Sequence, residues 1–165
     1  MRDGCVYLYY GEGKGKTTLA IGQGMRAVGS ELSVVMVQFL DYNHNKEYIP
    51  LKKLEPDFRA FRFEKQRDSL EDAQINEVKN EMALAINFSR KILETGECDM
   101  LILDGITDAV EAGFITDEDV AELLDKRTGY MDVIITGNKK YEKIAEKADF
   151  IYSINIEKFS ENKIK

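Results

Sequence analysis

Short apolar runs alternate with longer amphipathic ones along this chain, and their spacing predicts strands and helices in turn. Cys5 to Tyr10 reads as a short buried strand. Lys16 to Val28 reads as a helix, with Leu19, Ile21, Met25 and Val28 available for packing and Gly29 to end it. Leu32 to Phe39 is apolar and rich in β-branched residues, as an interior parallel strand requires. Asp41 to Pro50 is polar and irregular, and Phe58 to Phe63 alternates as a weaker strand does. A long helix is expected next, from a capping box at Ser69 and Asp72 down to Gly96, with Ile75, Val78, Met82, Ile86, Ile92 and Leu93 at helical spacing. Met100 to Leu103 is a short buried strand ending in Asp104. Thr116 with Asp119 caps a further helix that carries Val120, Leu123 and Leu124. Met131 to Thr136 (strand), Lys139 to Lys147 (short helix) and Phe150 to Ile154 (strand) complete the pattern. The segment 157–165 is polar and reads as a loose tail.

Strand–helix alternation without repeats or linkers predicts one α/β domain over residues 1–165. Its sheet is doubly wound and mostly parallel, of about six strands, with helices on both faces. Ligands bind such sheets at the carboxyl ends of the strands. Composition narrows the partners. The 165 residues are 44% hydrophobic and 32% charged, a globular profile that needs no disulfide or metal staple. Formal net charge is −7, which disfavours bulk association with nucleic acid or anionic membrane. No apolar run approaches the length of a membrane span, and the N-terminal residues lack the basic-then-apolar order of a signal peptide. A cytoplasmic location is therefore expected. Cys5 and Cys98 form no motif and read as buried free thiols, and His44 is the sole histidine, so neither redox nor zinc chemistry is indicated.

The candidate chemistry begins after the first strand. Gly11-Glu12-Gly13-Lys14-Gly15-Lys16-Thr17-Thr18 places three alternating glycines, two lysines and two threonines between a strand and a helix. Glycines let successive backbone N–H groups turn toward an anion, and the helix start directs its positive end at the same point. Lys16 is expected to reach phosphate oxygens and the Thr17 hydroxyl to hold Mg²⁺, as in the phosphate-binding loops of P-loop NTPases. The general pattern G-x-x-x-x-G-K-[ST] is off by one: its first glycine would fall on Tyr10, whereas this loop starts at Gly11. Met100 to Asp104 supplies the second half, an apolar strand followed by a carboxylate suited to Mg²⁺, directly or through water. These features predict a P-loop NTPase-like fold with ATP as ligand.

The run Tyr9 to Leu40 resembles the ATP:corrinoid adenosyltransferases of the cobalamin-biosynthesis type, whose loop has the same offset form. Ala20-Ile21-Gly22-Gln23-Gly24-Met25-Arg26-Ala27-Val28-Gly29 and the strand ending Val37-Gln38-Phe39-Leu40 carry the likeness. It continues through Lys46-Glu47, Phe61-Arg62-Phe63-Glu64-Lys65-Gln66, Leu103-Asp104 and Ile134-Ile135-Thr136-Gly137 to Ala148-Asp149. The resemblance implies that Co(I) of a reduced corrinoid attacks C5′ of Mg·ATP and that triphosphate leaves. It implies catalytic roles for Lys14, Lys16 and Asp104, and metal roles for Thr17 and Asp104. It also implies that Phe61 and Phe63 crowd one face of the corrinoid; residues two apart on a strand share a face, as ordinary core aromatics also would. A homodimer is implied by resemblance alone. The chain departs from the family pattern at Gly105, where a glutamate normally follows the aspartate; at Asn138, in place of an arginine; and at Phe63, in place of a tryptophan. The family's C-terminal segment, rich in Pro, Lys, His and Gly, has no counterpart after Ile156, so the chain reads as a divergent or shortened member.

Three rival readings are set beside this one. A GTPase would need an aspartate where Tyr141 stands in Asn138-Lys139-Lys140-Tyr141, because a carboxylate accepts the guanine N–H donors. A P-loop ATPase or a small-molecule kinase is the second, and the kinase would use an arginine-bearing lid, for which Arg59, Arg62 and Arg67 are the candidates. A non-catalytic paralogue would bind ATP and corrinoid without turnover.

Overall fold

A computed structural model describes residues 3–40, 48–65, 67 and 74–160. The elements in chain order are β1 (Val6–Tyr10), α1 (Lys16–Val28), β2 (Val34–Gln38), α2 (Tyr48–Leu51) with a following 3₁₀ turn (Lys52–Leu54), and β3 (Phe58–Arg62). Then come α3 (Ile75–Thr95), β4 (Met100–Asp104), α4 (Ile106–Glu111), α5 (Asp117–Leu124), β5 (Asp132–Gly137), α6 (Glu142–Ala145) and β6 (Phe150–Ser153). The six strands form one sheet in the order β3-β2-β4-β5-β1-β6, and every pairing is parallel.

Parallel strands bury both faces, which explains why β2, β4 and β5 are buried at every position. Alternate residues serve opposite cores. Val35, Val37, Leu101, Leu103, Val133 and Ile135 face α3 to α6. Met36, Ile102 and Ile134 face α1, with Phe58 and Leu51. Among the described residues no helix is long and apolar enough to cross a membrane.

The packing of α1 differs from the sequence expectation. Leu19 and Met25 are 42% and 43% exposed, while Ala20, Gly24 and Ala27 make the buried face. Small residues let the helix lie close to the sheet, directly over Phe58 and Ile102. A Cβ on Gly24 would stand 2.4 Å from a ring carbon of Phe58, which is itself fully buried. Gly24→Ala gains about 1 kcal/mol of helix propensity but overpacks at a cost of about 1–3 kcal/mol. A net loss of about 1 kcal/mol is expected, read as a lower urea midpoint at unchanged m-value.

Three other expectations meet the structure differently. The strand 150–154 forms, but as the edge strand β6, exposed along its length; Phe150 and Tyr152 stack on Tyr7 and Tyr9 of β1. The helix 139–147 is reduced to the single turn of α6, and the segment 106–111, given no element from sequence, is the helix α4. The capping box at Ser69 and Asp72, His44 and Lys46-Glu47 lie outside the described residues. Helix α5 starts as predicted: the Thr116 hydroxyl accepts from the Asp119 amide, and the Asp119 carboxylate accepts from the Thr116 amide.

Cys98 is buried just before β4, and burial pushes its thiol up to about 12. Cys5 is half-buried. Arg67 is buried against α3, where its guanidinium donates two 2.7 Å hydrogen bonds to Glu81, also buried, and one of 3.1 Å to Glu77. The fork matches the carboxylate and holds Glu81 below the usual carboxylate range. A carboxyl group whose folded pKa is depressed stabilises the fold above its unfolded pKa and loses that contribution as pH falls through the folded value. The stability difference between wild type and Glu81→Gln is therefore expected to be full at neutral pH and to shrink from about pH 5 downward. Urea titrations across pH 7 to 3 measure it.

Candidate functional site

The carboxyl ends of β1, β2, β4 and β5 converge on the glycine loop. Gly11 and Gly15 hold φ of 128° and 104°, conformations that favour glycine. A Cβ on Gly11 would lie 2.2 Å from the Ile154 carbonyl oxygen, so the close approach of the two chains also excludes a side chain. The Gly13 amide donates to that same carbonyl, and the Gly11 amide to Asn138. The loop is thus stitched to the segments after β5 and β6. Helix α1 starts at Lys16, so the amides of Lys16, Thr17 and Thr18 have no carbonyl four residues back within the helix and point toward the loop's interior end.

Lys16 folds back across the loop: its Nζ donates to the carbonyls of Gly11 (2.6 Å) and Gly13 (2.9 Å). The ammonium therefore lies across the glycine loop. Glu12 and Lys14 are exposed on the outer side of the loop. Lys14 brings a second positive charge to the mouth, and Thr18 faces an open hollow of about 540 Å³ with Gly15, Leu19, Gly22, Gln23 and Arg26. The exposed position of Leu19 gives that hollow an apolar wall.

Asp104 ends β4 at only 5% exposure, and its hydrogen bonds account for its burial. Oδ1 accepts from the Thr17 hydroxyl at 2.8 Å and from the Thr136 hydroxyl at 2.7 Å. Thr136 in turn accepts the Gly105 amide at 2.8 Å. The Gln38 side-chain amide lies 3.5 Å from Oδ2, and its carbonyl oxygen accepts from Arg62 Nε at 2.7 Å. Three parallel strands and the first turn of α1 thus meet on one carboxylate. A hydroxyl and a carboxylate held within 2.8 Å, with oxygen ligands only, suit a hard divalent cation such as Mg²⁺. Among the described residues no group of three or more histidine, cysteine or acidic side chains converges as a metal cage.

Phe61 and Phe63 do share a face: both rings pack on Phe88 of α3, at 4.7 and 5.2 Å between centroids. They are half-buried at the rim of the sheet, and Arg62 between them reaches Gln38 and so the Asp104 cluster. The arginines of the lid reading are occupied elsewhere. Arg59 pairs with Glu97, Arg62 with Gln38, and Arg67 with Glu81 and Glu77. Asn138, the first residue of the guanine-reading alternative, uses its backbone amide to bond Asp108.

Asp108 is the residue that sequence reasoning missed. It sits on α4, half-buried, with Oδ1 accepting the Asn138 amide at 2.7 Å. Burial pushes its carboxyl above the usual range, while the Asn138 hydrogen bond and the nearby Lys16 charge oppose that rise. No local pattern marked it, because its partners are thirty and ninety-two positions away.

Comparison with known proteins agrees with this geometry. In overall structure the chain is similar to a KaiC-like protein from the hyperthermophilic archaeon Pyrococcus horikoshii OT3. The TM-score is 0.60 at 14% identity, over 96% of this chain and 76% of that one, a likeness of fold. In sequence it is 31% identical over 153 residues to the corrinoid adenosyltransferase of Escherichia coli K12. It is 32% identical over 149 residues to the corrinoid adenosyltransferase CobA of Salmonella typhimurium LT2. In each case 90% of this chain and 74% of the relative are covered. The family model for ATP:corrinoid adenosyltransferases of the BtuR/CobO/CobP group matches residues 2–164. With a parallel P-loop sheet, an off-register glycine loop and a buried aspartate bonded to the loop threonine, the chain belongs to the ATP:corrinoid adenosyltransferase family.

Proposed function

We propose that this protein transfers the 5′-deoxyadenosyl group of Mg·ATP to Co(I) of a reduced corrinoid. The observation that carries the reading is the junction of Lys16, Thr17 and Asp104 at the end of a parallel sheet. It is built to hold a phosphate chain and its cation. Cobalt supplies the electron pair that forms the Co–C5′ bond, the C5′–O bond breaks, and triphosphate departs with that bond's electrons. No proton moves, so the protein needs neither a base nor a nucleophile of its own. Its task is electrostatic: charge builds on the leaving triphosphate, and fixed cations and amides aimed at it lower the barrier.

Each residue has a part in that task. Lys16 and Lys14 would neutralise the triphosphate, the amides of Lys14 to Thr18 would cradle it, and Glu12 would lie outside the cradle. Thr17 and Asp104 would hold Mg²⁺, which would supply positive charge against the leaving triphosphate. Phe61 and Phe63, braced on Phe88, would press on one face of the corrinoid. The Arg62–Gln38–Asp104 contacts tie that aromatic segment to the phosphate site. Net charge of −7 is compatible with small anionic ligands because the positive groups are local to the loop. A homodimer and a cytoplasmic location complete the proposal.

The test is an anaerobic assay with chemically reduced corrinoid and Mg·ATP. Adenosylated corrinoid and triphosphate in equal amounts are the expected products. ADP with phosphate would instead establish an ATPase or kinase. ATP binding without any product would leave a non-catalytic paralogue.

A further inference from the structure

Position 105 follows the buried aspartate and carries no side chain. The structure shows why none fits there. Gly105 has φ of 74°, and a Cβ would stand 2.7 Å from the Phe39 carbonyl oxygen. The space beyond that Cβ is not vacant: Asp108 Oδ2 lies 3.8 Å from it. A carboxylate one helical turn later thus occupies the direction in which a side chain at 105 would extend. Its Oδ1 is fixed by the Asn138 amide, and among the described residues Oδ2 accepts no hydrogen bond. Its charged surroundings are Lys16 from α1 and Glu111 from its own helix. A half-buried carboxylate with one oxygen committed and the other open beside the phosphate lysine wants a positive or hydrogen-donating partner.

We propose that Asp108 is the second carboxylate of the magnesium–ATP site, with Oδ2 accepting hydrogen bonds from the water shell of the cation held at Thr17 and Asp104. This rests on the reading of the loop as a Mg·ATP site. Mg²⁺ keeps several waters when bound through one or two protein oxygens, so an acceptor one water away orients those waters and raises cation affinity. The alternative is that Asp108 serves only as a counter-charge for Lys16, and the two roles differ in their dependence on the metal.

ATP binding to the full chain is measured by calorimetry over a magnesium series and in EDTA, for wild type and Asp108→Asn. The asparagine keeps an acceptor for the Asn138 amide and removes the charge. The expected result is a rise of about tenfold in half-saturating magnesium, with ATP affinity in EDTA equal to or tighter than wild type. Asp108→Ser, a smaller neutral replacement, carries the same expectation should the asparagine variant fold poorly by circular dichroism. An unchanged magnesium dependence in a folded variant overturns the proposal. So does an equal loss of affinity with and without magnesium, which assigns Asp108 to Lys16 alone. Failure of the wild type to bind ATP under any condition would overturn the Mg·ATP reading itself. Magnesium-dependent binding matched by both variants overturns only the role of Asp108.

Discussion

Lys16→Ala is expected to cripple ATP binding and adenosyl transfer while leaving the fold in place. Among the described residues the side chain donates hydrogen bonds to the carbonyls of Gly11 and Gly13 alone, and it belongs to neither core cluster. Its loss takes one donor from the carbonyls of two buried glycines, a cost of about 1–3 kcal/mol that lowers the urea midpoint without unfolding the chain. Binding is different. Truncating one partner of a desolvated charge pair costs about 2–5 kcal/mol, and the middle of that range is a few hundredfold in affinity. The uncharged variant still offers backbone amides to the phosphates, so weak binding at high ATP is the expected residue of function. Equilibrium dialysis with labelled ATP, alongside a urea titration, separates the effects. Affinity within threefold of wild type would show that the phosphates lie elsewhere.

Asp104→Ala should harm both stability and metal-dependent binding. Asp104 accepts the Thr17 and Thr136 hydroxyls and contacts the Gln38 amide, all at the end of a buried strand. Removing it strands buried donors, at about 1–3 kcal/mol. It would also remove the proposed cation ligand, and loss of even an outer-shell partner costs about 10–100-fold in metal affinity, so a direct ligand should cost at least the upper figure. The two losses separate by measurement. The urea midpoint reports the first, and half-saturating magnesium for ATP binding reports the second. Asp104→Asn keeps an acceptor for the hydroxyls and should recover much of the stability but little of the magnesium affinity. Equal magnesium dependence in wild type and Asp104→Asn would sink the metal assignment.

The parts of this site that sequence alone exposes are those written contiguously. Gly15 and Gly29 bracket α1, and both ends fall where the punctuation predicts. Asp104 follows an unbroken apolar strand, and its partner Thr17 belongs to a recognisable loop. Residues that act through distant partners left no such mark. Asp108 gains its place from Asn138, thirty positions on, and from a six-residue helix too short to show periodicity. The same limit explains α1: a large apolar side chain suggests burial, but Ala20, Gly24 and Ala27 make the contact because the sheet lies too close for Leu19 or Met25. For β6, an apolar run predicted a strand but carried no information on whether a further strand lay beyond it. The aromatic pair was legible as a shared face, and only the structure supplied Phe88 behind it.

The buried thiol at the head of β4 has a practical consequence. With a pKa pushed up to about 12 by burial and only 2% of its surface exposed, Cys98 is almost entirely protonated and shielded at neutral pH. Alkylation there must wait for the chain around it to open. In a Cys5→Ser background the labelling rate of Cys98 becomes an internal clock for that opening, set by the free energy of the motion rather than by thiol chemistry. Nucleotide bound at the far end of the same strand should slow the clock by the factor with which it stabilises the folded state. The protein therefore carries its own gauge of ligand binding, one that needs neither cobalt nor turnover to read.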